Sequence, residues 1–187
     1  MRVMLGILLL GICASCVEYT PKPRGFYRID IPEARYRDFS SDDIPYTFRI
    51  SQFAAIELPP LEMPAGWINL SYEALNAKIY CSYRQISPET LPAVTGECRK
   101  LLLRSAGNVN AITEQSYENQ DIRLFGTLFL TEGESISPIQ FMLTDSVSRF
   151  FRGALYYQCK MNTDSLAPVT GYLRKDVVEL IQSFQWK

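Results

Sequence analysis

Two Asp–Ser pairs stand out among the residues able to do chemistry: Asp145–Ser146 in "LTDS" and Asp164–Ser165 in "NTDS". Together with Glu97 they supply the carboxylates that a general acid–base site would have to bring together. Arg149 and Arg152 follow the first pair closely. An arginine on Asp145 would organise either a turn or a polar pocket. Asp beside Ser favours the turn, because both side chains bond nearby backbone N–H groups. Asp164 and Ser165 read in the same way, as the turn ahead of the last helix; a polar site shared by Asp145 and Asp164 is the alternative. Arg152–Gly153 interrupts an apolar strand. The glycine there signals a bulge or a close backbone approach, and Arg152 is either a paired structural charge or a ligand contact.

The chain has no histidine. That removes Ser–His–Asp and Cys–His catalysis and every imidazole metal ligand. No spacing forces two carboxylates, or a serine and a lysine, into one place. No catalytic residue is therefore assigned, and no metal or cofactor is expected. Cys81, Cys98 and Cys159 lie in the body of the chain. Three thiols allow one bridge at most, and Cys81–Cys159 between strands is the candidate; buried structural thiols are the plainer reading. No C-x-x-C spacing occurs in the body, so a zinc knuckle or redox motif has no support.

These residues need elements to position them, and the leader comes first. "MRVMLGILLLGICAS" has one charge, Arg2, then an apolar run from Val3 to Ile12. The run is shorter than the roughly 20 residues that span a bilayer. Its layout is that of an export signal over residues 1–15, with small Ala14 and Ser15 before Cys16. This resembles a bacterial lipobox, in which Cys16 takes the lipid and becomes the new N-terminus. A departure is Cys13 where an aliphatic residue is usual, and an ordinary secretory signal cut near Ser15 is the alternative. Multiple acyl chains on Cys16 would anchor the protein stably to the bilayer. Residues 16–24 form the lipidated tether, "CVEYTPKPR", and 25–187 the folded domain. Nine residues from Cys16 to Gly25 reach only about 28 Å as polyproline. Arg24 and Gly25 either dock on the domain or a partner through the arginine's donors, or belong to a solvated tether.

Along the body, "FYRIDIP" alternates like an edge strand, residues 33–45 read as charged loop, and "YTFRI" alternates like a half-buried strand. Residues 57–65 carry three prolines and read as loop. "GWINLSY" and "AKIYCSYR" are strands joined by a turn within 71–76. A helix is expected over about 93–105, from the recurrence of Val94, Cys98, Leu101, Leu102 and Ser105, with Gly107 as its cap. Four strands follow in "AITEQSYE", "DIRLFGTLFL", "SPIQFMLT" and "RFFRGALYYQC", with turns centred on Gly133 and on 145–148. The terminal "TGYLRKDVVELIQSFQWK" reads as a helix. Its stripe of Leu173, Val177, Leu180, Ile181 and Phe184 should face the sheet, with Lys175, Glu179 and Gln182 facing water. Tyrosines 80, 83, 156 and 157 should mostly be core, with an exposed aromatic groove as the alternative. Seven strands in contiguous runs with two main helices imply an α+β class, a curved antiparallel sheet packed with helices.

Net charge is −1 over 187 residues. Losing Arg2 with the leader leaves 18 basic against 20 acidic residues, or −2. That balance argues against nucleic acid as a partner. The stretches "YTPKPRGFYRIDIP", "WINLSY", "AKIYCSYR", "SPIQFMLTDSVSRFFRGALYY" and "NTDSLAPVTGYLRKDVVELIQSFQWK" resemble the gliding motility lipoprotein GldD family of Bacteroidota. The resemblance covers nearly all of the chain after Cys16. It implies an accessory lipoprotein of the envelope, tied to gliding motility and through it to type IX secretion, with other envelope proteins as partners; it does not imply a reaction. The order of strands and helices is also similar to the Mog1/PsbP-like fold. Only Glu18 is acidic just after Cys16, which favours a periplasm-facing position. A binding module for a glycan, peptide or lipid is the alternative function, and a histidine-free hydrolase working through carboxylates is a further one. On the first reading, Arg24, Gly25, Asp145, Arg149, Arg152 and Asp164 are the candidate interaction residues.

Overall fold

The computed structural model describes residues 33–58, 60, 62–158 and 163–187; for residues 108–110 and 163–165 it describes the backbone. Cys16, Arg24, Gly25, "FYRIDIP" and Cys159 lie outside the described residues. Ten strands and two long helices follow in chain order. The strands are β1 Tyr36–Phe39, β2 Tyr46–Ser51, β3 Ala55–Glu57, β4 Ile68–Tyr72, β5 Ala77–Gln85, β6 Asn108–Asn119, β7 Leu124–Glu134, β8 Ile139–Thr144, β9 Arg149–Tyr157 and β10 Gln185–Trp186. The helices are α1 Leu91–Ala106, between β5 and β6, and α2 Thr163–Ser183, between β9 and β10. Seven strands make one antiparallel sheet in the order β3-β4-β5-β9-β8-β7-β6, and β1-β2-β10 make a second, smaller sheet. The class is α+β, with β6 to β9 a meander that starts at one edge and returns to pair with β5.

The alternation of β9 shows how the sequence builds two layers. Phe151, Gly153 and Leu155 face one side of the sheet, and Phe150, Arg152 and Ala154 the other. The first side carries the main core, where Tyr46, Phe48, Phe141, Phe151 and Phe184 pack together under α2 and the small sheet. All five residues of the expected helix stripe, Leu173, Val177, Leu180, Ile181 and Phe184, are buried there. The second side carries a small cluster in which α1 sets Val94 and Cys98 on Phe150. Gly153 answers its two readings. The β5–β9 register runs unbroken from Ala77↔Tyr157 to Gln85↔Arg149, so there is no bulge. The Phe141 ring lies over the glycine instead, and a Cβ would come within 2.3 Å of it.

Several expectations are corrected. Residues 36–39 are strand β1 rather than loop, because their pairing with β2 supplies the ladder that a charged sequence does not advertise. The last residues leave the helix at Ser183 and form β10 on β2. Helix α2 starts at Thr163, so Asp164 and Ser165 lie in its first turn, not in a turn ahead of it. Pro168 falls early in that helix, where it forfeits one ladder bond rather than breaking a long run. Gly133 sits inside β7 at φ 106°, opposite the bulge of β6 between Val109 and Ala111, rather than at a turn centre. Helix α1 turns its stripe away from Leu101, which is 44% exposed, while Leu102 is buried. Gly107 does end that helix, at φ 58°.

Candidate functional site

Asp145 closes the β8–β9 turn. Its Oδ1 accepts from the backbone N–H groups of Val147 (2.9 Å), Ser148 (2.7 Å) and Arg149 (2.9 Å), and Oδ2 accepts from the Ser148 hydroxyl at 2.8 Å. Burial works against its charge, but the donors from Ser148, Val147 and Arg149 outweigh it and hold the carboxyl below its usual range. Ser146 takes the left-handed conformation, φ 65°, that the turn needs. The turn reading of "LTDS" therefore describes the geometry. Asp145 meets Arg149 through the backbone, and among the described residues it has no ion pair with Arg149 or Arg152.

Arg152 points to the second side of the sheet, into a different setting. Its Nη2 donates to Gln140 Oε1 at 2.7 Å, Gln140 Nε2 donates to Ser105 Oγ at 2.5 Å, and Ser105 Oγ donates to the Leu102 carbonyl at 2.9 Å. Gln140 is 2% exposed, so a buried relay ties the guanidinium to the last turn of α1. Arg152 lines a groove of about 560 Å³ between α1 and strands β5 and β9. Across it, Arg84 on β5 reaches Glu97 on α1 at 3.2 Å. Trp67 forms one wall, its ring fixed by Nε1–H donating to the Tyr83 carbonyl at 2.9 Å. Beyond the groove the same sheet face carries Tyr80 and Tyr156, paired edge to face at 5.7 Å. Tyr80 is 45% exposed and Tyr156 half-buried, so these two rings are surface rather than core.

A second aspartate behaves differently from Asp145. Asp176 on α2 is 3% exposed, beneath the helix on the main-core side. The Tyr36 hydroxyl donates to its Oδ1 at 3.1 Å, and Oδ2 has no hydrogen-bond partner among the described residues. Burial pushes its carboxyl above the usual range, the Tyr36, Tyr72 and Ser51 hydroxyls pull it back part of the way, and Glu179 adds to the rise. Glu179 is half-buried and ion-paired with Arg49, not turned to water as its place in the helix suggested.

The family model described as gliding motility lipoprotein GldD matches residues 16–186. The chain belongs to the GldD family. No curated protein matches it. Among solved structures it is similar to the solution structure of cyanobacterial PsbP (CyanoP) from Synechocystis sp. PCC 6803, at 10% identity over 84% of this chain and 96% of that chain, with a TM-score of 0.49. The GldD family is one of lipoproteins of gliding motility, which implies a lipid-anchored place in the cell envelope. No helix among the described residues is long and apolar enough to cross a membrane.

In this GldD-family chain, three of the five motifs behind the resemblance lie on neighbouring strands. "WINLSY" is β4 with Trp67, "AKIYCSYR" is β5, and "SPIQFMLTDSVSRFFRGALYY" is β8, its turn and β9. Three of these strands, β5, β8 and β9, carry the groove or its relay. The site residues named from sequence divide accordingly: Arg152 lines the groove, Asp145 and Arg149 form the turn, and the backbone of Asp164 begins α2. Sequence reasoning missed Trp67, Arg84, Gln140 and Asp176. Gln140 had a signal, a lone amide in the apolar run "PIQFML". Asp176 had one too, since helical spacing from Leu173 and Leu180 puts it on the apolar stripe. Cys81 is a free buried thiol opposite Gly153, and burial pushes its pKa up; Cys98 is also free and buried. Among the described residues no cluster of Cys, Asp and Glu could hold a metal ion.

Proposed function

We propose that the protein is a non-catalytic, lipid-anchored component of the gliding motility and type IX secretion machinery that works by protein–protein contact. The observation that carries this reading is the division of the sheet. One side is sealed by a large aromatic core, whereas the other presents a groove and a tyrosine pair to solvent, the composition of a contact surface. The carboxylates that a hydrolase would need are occupied separately, Asp145 by its own turn and Glu97 by Arg84. Cys16 carries the lipid, residues 16–24 tether residues 25–187 close to the membrane, and the domain faces the periplasm. Membership of a gliding motility lipoprotein family supports the lipid anchor, and the scarcity of acidic residues just after Cys16 supports the periplasmic face.

Cross-linking in intact cells followed by pull-down, wild type against Cys16→Ser, tests the reading. The wild type should fractionate with membranes and bring down envelope proteins, and Cys16→Ser should lose both. Unchanged membrane fractionation of Cys16→Ser would overturn the anchor, and a wild-type pull-down without envelope proteins would overturn the contact role.

A further inference from the structure

Arg152 is a half-buried cation on the groove with no ion pair among the described residues. Arg35, Arg49, Lys78, Arg84 and Arg99 each pair with a carboxylate, but no carboxylate reaches Arg152 among the described residues. A half-buried charge left unpaired is costly unless hydrogen bonds and water hold it. The Gln140–Ser105 relay does the fixing: it holds Nη2 and leaves the rest of the guanidinium fork on the groove side. Arg84 lies next to it on the same face. The register pairs Ser82 with Arg152 and Arg84 with Phe150, which makes the two arginines diagonal neighbours roughly 7–8 Å apart at the backbone. Against these two cations the groove holds one carboxylate, Glu97, whose contact with Arg84 is single and exposed.

The remaining lining fixes the kind of molecule that fits. Trp67, Val94 and Leu101 offer an apolar wall, and Ser82 and Gln85 offer hydrogen bonds. The volume of about 560 Å³ is that of an ordinary ligand cleft. An alkyl chain lying over half-buried Ser82 would leave it without a partner, whereas a peptide backbone can meet it. We propose that this groove binds the free C-terminal carboxylate of a peptide ending in an apolar residue, with Arg152 gripping the carboxylate and Trp67, Val94 and Leu101 holding the side chain. Arg84 adds a second cation by exchanging Glu97 for the incoming carboxylate. A guanidinium suits this task because its parallel N–H donors match both carboxylate oxygens.

The proposal deepens the protein-contact reading and rests on it only for its use in the cell. Its test uses purified full chain in non-ionic detergent, so it fails or succeeds independently of membrane fractionation. The probe is a fluorescein-labelled short peptide ending in Phe with a free carboxylate, measured by anisotropy beside its C-terminally amidated twin. The free acid should bind saturably, and the amide about tenfold or more weaker. Arg152→Gln should cost the acid a similar factor, and Arg84→Gln, at an exposed position that leaves the fold alone, a smaller one. Glu97→Gln should tighten binding by removing the competing carboxylate. Equal binding of acid and amide overturns the proposal, as does unchanged binding by both arginine variants, or no saturable binding up to about 1 mM. Displacement of the bound probe by octanoate at concentrations below those at which the unlabelled free-acid peptide displaces it would overturn the peptide assignment in favour of an acyl chain.

Discussion

The two sides of the seven-stranded sheet are built on the same strands and have different fates. On one side Tyr46, Phe141, Phe151 and Phe184 are fully buried, stitched by ring contacts between 4.6 and 6.0 Å and sealed by α2 and the small sheet. On the other, α1 covers Phe150 with Val94 and Cys98 and leaves a groove along its flank and two tyrosines in the open. A sheet needs one well-filled side to be stable. Once that side exists, the other is free to trade packing for recognition. Adjacent residues of β9 therefore do different work, Phe151 for stability and Arg152 for the groove.

The sharpest way to break this comparison is to remove the same ring from each side. Phe151→Ala should cost about 3–5 kcal/mol, because it empties the centre of a core that cannot collapse around the gap. Phe150→Ala, buried under a single helix, should cost about 2 kcal/mol, since α1 can settle onto the sheet. Urea unfolding of the two variants reads the difference. Equal losses would mean that α1 is as firmly packed as α2, and the contrast between the sides would go.

Two glycines sharpen it next. Gly153→Ala drives a methyl into the Phe141 ring and should destabilise by about 1–3 kcal/mol. Gly96→Ala on α1 meets nothing within 4 Å and should stabilise by up to about 1 kcal/mol through helix propensity. Thermal unfolding should move in opposite directions for the two. A stabilised Gly153→Ala would show that the ring over the glycine can shift freely.

The main side of the fold was largely legible in the sequence because its signals are local. The helix stripe from Leu173 to Phe184 and the alternation of β2 each follow from spacing alone. What was not legible is set by distant pairing. Tyr36–Phe39 has the composition of a loop and is a strand because β2 lies beside it, and Gln185–Trp186 is a strand for the same reason. The groove was half legible. Arg152 was singled out beside its glycine, but the Gln140–Ser105 relay joins residues 35 positions apart, and no periodicity announces such a contact.

The two aspartates give the subtler predictions, since they respond to pH in opposite senses. Asp145 has a lowered carboxyl, so its contribution is present above the ordinary carboxyl range, about 3.9, and is lost as pH falls through the lowered value. Asp145→Ala should remove about 1–3 kcal/mol at neutral pH by leaving the N–H groups of Val147, Ser148 and Arg149 without their acceptor. The loss should shrink in strong acid. Urea unfolding of both proteins at neutral and acidic pH gives the comparison; a loss that stayed constant with pH would mean the carboxylate's charge is not what the turn uses.

Asp176 is the smallest effect and the most diagnostic. Its carboxyl is raised, so in the folded state it keeps a proton at pH values where the unfolded chain has already released it. The stability it lends is complete below the unfolded carboxyl pKa and is lost as pH rises through the raised folded value. Asn at this position keeps an oxygen for the Tyr36 hydroxyl and carries no charge to bury. Asp176→Asn should therefore match the wild type in acid and gain on it towards neutral pH, ending equal or more stable. Parallel urea titrations across the acid-to-neutral range measure that divergence directly. A variant that instead loses stability towards neutral pH would mean that the fold favours the charged form of Asp176, and that its partners beneath α2 outweigh the burial that pushes its carboxyl up.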